Sequence, residues 1–179
     1  MSRLFVVSLT CLVMAGSARA DLIVLSAVLS GANETPPNTS PATGLSRLTL
    51  DTVANTIAWN VTFGGFLGTP TIAHFHVGNV GVAGPVLYDI APTNPYSSPL
   101  VGSAALVNKS VSVGGVPTTF SVADQKQQLL DGLWYTNLHS SRFPGGEARG
   151  QLSVVPVPPA AVLAAVGALT LFGRRRLVG

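Results

Sequence analysis

Residues 56–63 read TIAWNVTF, in which Ile57, Trp59, Val61 and Phe63 alternate with Ala58, Asn60 and Thr62. Successive side chains of an extended chain point to opposite faces, so this period of two gathers the four large apolar residues on one side. A helix would scatter them. The segment is a half-buried β-strand, and the pattern spreads outward from it. Apolar or alternating runs occupy 22–30 (LIVLSAVLS), 45–50, 71–77, 85–90, 103–113, 133–139 and 148–154. Turn chemistry separates them at 33–44, Gly64-Gly65, 78–85 and Pro144-Gly145-Gly146. Eight short strands at this spacing predict an all-β fold, an antiparallel Greek-key-like β-sandwich or barrel. One segment departs from the pattern. Ser121, with Asp124 three residues on and Gly132 beyond the end, predicts a short helix over about 122–130.

The strand at 71–77 carries two of the chain's three histidines, in the run AHFHVG at 73–78. Parity places Phe75 and Val77 toward the core and Ile72, His74 and His76 on the opposite face. On 133–139 the same parity groups Leu133, Tyr135, Asn137 and His139. If the two strands are neighbours, His139 joins His74 and His76, and the Pro-Gly-Gly turn brings Glu147 and Arg149 close. Three imidazoles without a thiolate suit zinc or copper with an open position. Affinity for either would fall as pH drops through about 6.5, where imidazole protonates. The same residues also read as exposed-face hydrogen-bonding groups that tie loops 78–85 and 140–146 to the sheet. Glu34, beside Pro36 and Pro37, reads as a loop clamp or as a ligand-binding carboxylate. No catalytic residue is assigned: Ser140 and Ser141 lack a nucleophile elbow, and no glycine-rich phosphate loop opens a helix.

The two ends read as addresses. Residues 1–20 have a basic start at Arg3, an apolar run to Met14 and the small residues Ala18 and Ala20, the layout of a signal peptide cut before Asp21. The single cysteine, Cys11, lies within it, so the domain at 22–153 is expected to fold without disulfides or thiolate metal sites. Residues 154–179 combine prolines, an uncharged stretch from Ala160 to Gly173 and then Arg174, Arg175 and Arg176, predicting a C-terminal apolar helix with its basic flank in the cytoplasm. Five of the ten basic residues lie in these ends, while all seven acids lie from Asp21 to Glu147. The domain is therefore slightly acidic. The overall pI of about 9.5 belongs to the ends and gives no reason to expect nucleic-acid binding.

The tail resembles the PEP-CTERM sorting signal of Gram-negative bacteria, with Pro156 and Pro158 in its short motif, although Val157 stands where glutamate is usual. That resemblance implies an exosortase-type membrane protease as partner, transient membrane anchoring, and delivery to the cell surface or extracellular matrix. The domain itself resembles the CHRD family in three blocks: LSGANETPPNTSPATG at 29–44, AHFHVGNVGVAGPV at 73–86 and LLDGLWYTNLHSSRFPGGEARGQL at 129–152. The family implies export and a β-sandwich but no established reaction. The expectation is an exported binding or structural protein, with an extracellular polysaccharide or surface protein as partner. The alternative is a metal-dependent enzyme using His74, His76 and His139.

Overall fold

A computed structural model describes residues 21–91 and 93–156. The expected signal peptide, the C-terminal apolar helix, Pro158 and Arg174 to Arg176 lie outside these residues, whereas Pro156 is described and exposed. No helix among the described residues is long and apolar enough to cross a membrane.

The alternating stretch forms β3 (Thr56–Gly64), paired without a break to β2 (Thr43–Asp51), which pairs in turn with β1 (Leu22–Ser30). Around this meander stand β4 (Pro70–Val77), β5 (Val86–Asp89), β6 (Leu100–Ala105), β9 (Trp134–Ser140) and β10 (Ala148–Gln151). The order across the sheet is β5-β4-β9-β10-β1-β2-β3-β6, and each neighbouring pair is antiparallel. The expected sandwich or barrel thus takes the form of one continuous sheet curled into a half-barrel, as the right-handed twist of a wide sheet favours. Its inner face holds the core, including Leu25, Leu29, Leu48, Leu50, Ile57, Val61, Phe75, Trp134 and Leu138. Trp59 meets Phe75 edge-on at 5.7 Å, a pairing that contributes about 0.5–1.5 kcal/mol beyond its buried area. Thr136, pointing into this core, satisfies its hydroxyl by donating to Ser46 Oγ at 2.8 Å.

Two strands differ from expectation. The run 103–113 divides after Ala105: the Leu106 N–H makes the last rung of the pairing between β6 and β3, donating to the Asn55 carbonyl at 2.8 Å, and the chain then leaves the sheet. Its second half becomes β7 (Lys109–Val113), which pairs with β8 (Val116–Phe120) as a separate two-stranded sheet. The sequence reading omits β8. Gly114 and Gly115 make the hairpin turn at φ 57° and 85°, a conformation that two glycines adopt without strain. The run 148–154 is likewise interrupted at Leu152, after which β11 (Ser153–Val154) pairs with β1.

Among the described residues the single α-helix, α1 (Val122–Leu130), lies where Ser121 and Asp124 place it. Ser121 Oγ accepts from the Asp124 N–H at 3.1 Å, and Asp124 Oδ2 accepts from the Ser121 N–H at 2.8 Å. Gln125 is the helix's buried polar residue. It accepts from the Tyr88 hydroxyl at 2.8 Å and donates to the Val107 carbonyl at 2.7 Å, joining α1 to β5 and to the chain entering β7.

Candidate metal centre

The outer face of β4, β9 and β10 carries the polar residues that parity assigned to it. Ladder register sets Asp89, His74, Asn137, Arg149 and Ser30 in one row across five strands. The next row holds Val86, His76, Tyr135 and Gln151. Around the histidines this face is covered, contrary to expectation, while Ile72, Val86 and Asp89 at its edge stay exposed. Loops 31–42, 78–85 and 140–147 roof it, leaving His76 8% and His139 6% exposed and His74 half-buried. Over β4, β9 and β10 the sheet therefore has an apolar inside and a largely buried polar outside.

The three imidazoles come together. His74 Nδ1 lies 3.3 Å from His139 Nε2, and one ring nitrogen from each histidine falls within 4.8 Å of the others. His76 Nδ1–H donates to the Gly84 carbonyl at 2.9 Å, and His139 Nδ1–H donates to the Pro144 carbonyl at 2.9 Å. Each of those bonds commits the proton to Nδ1 and leaves Nε2 bare. For His76 that nitrogen is buried and has no hydrogen-bond partner. A tetrahedral ion with Zn–N bonds near 2.0–2.1 Å requires ligand nitrogens about 3.3 Å apart. The His74–His139 pair already has that spacing, and closing the widest separation from 4.8 Å takes about 1.5 Å. No carboxylate or thiol joins the group among the described residues.

Burial also sets the protonation state. It pushes His76 down to about 4, outweighing the bond to Gly84 that acts the other way, with His74, His139 and Arg149 lowering it further. Burial lowers His74 against the opposing pull of Asp89, and lowers His139 against its bond to Pro144. All three rings are neutral near pH 7, the form that binds metal. The proton competition expected near 6.5 moves to lower pH.

The remaining expected residues surround the cluster without entering it. The Arg149 guanidinium lies 3.5 Å over the Tyr135 ring, so Tyr135 stands between it and the imidazoles. Glu147 is turned to other partners: its Oε1 accepts from Ser40 Oγ and from the Leu67 N–H, both at 2.6 Å. Burial alone would raise that carboxyl, but donors from Leu67, Ser140, Ser40 and Gly68 together hold it below the usual value. Glu34 is buried against Asn137 and Gly146. Burial raises it to about 7, although Arg149, Thr35 and Asn137 pull it down. Glu147 thus ties Ser40 and Leu67 together, whereas Glu34 Oε1 is buried without a hydrogen-bond partner. The sequence reading missed Tyr135 as part of the site, although its parity with His139 was visible. The carbonyls of Gly84 and Pro144 carry no side-chain signal at all.

A family model for the CHRD domain matches residues 25–152, from within β1 to the residue after β10. The chain belongs to the CHRD family. The match takes in all three histidines together with Glu34, Tyr135, Glu147 and Arg149. No curated protein and no solved structure matches the chain. Within the CHRD domain, the site is assembled from two of the three blocks that carry the resemblance and roofed by the remaining one.

Proposed function

We propose that this CHRD domain is an exported binding module whose working site is a transition-metal centre formed by His74, His76 and His139. One observation carries the reading. Two of the rings donate Nδ1–H to backbone carbonyls while the bare Nε2 of His76 is buried with nothing to accept from. Hydrogen bonds of this kind orient metal-binding histidines and fix their tautomers. A buried unsatisfied acceptor costs about 1–3 kcal/mol, and an ion held by the three rings would satisfy this one. An all-imidazole set suits Zn²⁺ or Cu²⁺ rather than Mg²⁺ or Ca²⁺, which prefer oxygen ligands. The end segments support export, with an exosortase-type protease processing the tail and delivering the domain to the surface or matrix. Its partner there is a polysaccharide or a surface protein.

Titrating the full-length protein with Zn²⁺ and Cu²⁺ tests the centre. The expected result is one ion per chain, lost in His76→Ala. Absence of binding after reconstitution would return the histidines to a hydrogen-bonding role. A metal-dependent enzyme is the second reading. It is favoured by the count of three ligands, which leaves a fourth position for water as catalytic zinc sites do. Hydrolytic activity that appears with Zn²⁺ and disappears in His76→Ala would select it.

A further inference from the structure

We infer that Tyr135 and Arg149 are positioning residues for this centre, holding His76 in the tautomer that keeps its Nε2 bare. The inference rests on the three-histidine reading for its function, though not for its geometry. The Tyr135 ring stacks on the His76 imidazole with centroids 4.8 Å apart and planes 8° from parallel. The Arg149 guanidinium covers the same tyrosine ring at 3.5 Å. Because β4 and β10 flank β9 on opposite sides, the two groups reach the ring from opposite directions. Stacking fixes the plane of the imidazole, and a second contact fixes its rotation within that plane. Tyr135 Oη accepts from the Gly84 N–H at 2.9 Å, and the Gly84 carbonyl accepts the His76 Nδ1–H at 2.9 Å.

Arg149 holds the loop that supplies this carbonyl. Its Nη2 donates to the carbonyls of Asn79 at 3.2 Å and Val82 at 2.9 Å, and its Nη1 donates to Thr35 Oγ1 at 3.3 Å. Position 84 tolerates only glycine, since a Cβ there would lie 1.8 Å from the Val77 carbonyl oxygen. Arg149, Tyr135, Gly84 and His76 therefore form one connected set of contacts in which only His76 offers a bare ring nitrogen to an ion. Arginine is required for its planar fork, which stacks and donates at once; a lysine ammonium does only the latter.

The test uses full-length protein labelled with ¹⁵N at histidine. In the wild type, the ring nitrogens of His76 should show a single tautomer protonated at Nδ1. Arg149→Met should mix the tautomers and weaken Cu²⁺ binding by about 10- to 100-fold, the usual effect of losing such an outer contact. Arg149→Lys should fall between, and Tyr135→Phe should loosen Gly84 while keeping the stack. Circular dichroism identifies the variants that remain folded; if Arg149→Met does not, the other two decide. A folded variant set in which His76 keeps its tautomer and Cu²⁺ affinity is unchanged overturns the proposal. If the wild type binds no Cu²⁺, the metal reading falls, and the tautomer comparison still decides whether Arg149 and Tyr135 position His76.

Discussion

An imidazole serves a metal only while one of its nitrogens is bare, and in this site burial and two carbonyls keep it so. His76 is held down to about 4 chiefly by burial, and His74 and His139 are lowered by the same cause. Zn²⁺ or Cu²⁺ affinity should therefore decline at lower pH than that of a solvent-exposed histidine cluster, with His76 the last ring to protonate, at about 4. Calorimetric titration at falling pH checks it; a fall centred on 6.5 would mean that the roofing loops do not exclude water. The same shifts affect folding. The unfolded chain takes up histidine protons that the folded chain refuses, so these rings destabilise the fold as pH drops from 6.5 toward 4 and cost nothing above that window. Glu34 has the opposite sign. Its folded value of about 7 exceeds the ordinary 4.5, so its stabilising contribution is complete below 4.5 and lost as pH rises through 7. The stability of Glu34→Gln relative to wild type should accordingly increase between pH 5 and pH 8, measured by urea unfolding. A constant difference would show that Glu34 is charged throughout. At this scale strand parity made the histidine faces legible, because alternation is a property of the chain itself. The tautomers were not, because they depend on the backbone carbonyls of Gly84 and Pro144, which carry no side-chain signature.

Elements were legible where their signals were local. The helix begins at Ser121 because a hydroxyl and a carboxylate three residues apart satisfy each other's backbone donors. Ser121→Ala should cost about 1 kcal/mol in denaturant unfolding, and no change would mean that packing by Leu129 and Gln125 alone holds α1 in place. Strands were found by alternation, but β6 extends only as far as its partner β3 allows, the last rung being Leu106 N–H to the Asn55 carbonyl. No local pattern encodes such a partner. The strand β8 was hidden by Pro117, which reads as a strand breaker yet is accommodated in a two-stranded ribbon, where one side of each strand is unpaired. Loop 78–85 is held by Arg149, Gln151 and Tyr135, each reaching across more than fifty residues.

The whole molecule depends on pairings that alternation cannot specify. Nothing in the local sequence says that β4 lies against β9 or β1 against β10, and those two pairings create the histidine site and the half-barrel. Two sandwiched sheets and one curled sheet have the same strand pattern, so the architecture was legible only as a class. With a core of this form and its sole cysteine at position 11, the domain should show the same thermal midpoint with and without a reducing agent. A shift on reduction would contradict that. Phe75 packs against both Trp59 and Trp134, and Phe75→Ala should cost about 3–5 kcal/mol. The ladder also has a consequence at its seam. Leu25 lies opposite Val154 and Ser26 opposite Ser153, so the polypeptide enters and leaves at one pole. A tether at either end would hold the domain the same way up, with loops 31–42 and 140–147 at the free pole unobstructed. A circular permutant that joins these stems through a short linker and opens the chain at Gly114-Gly115 should keep every rung of the large sheet, since that tip belongs to the separate ribbon.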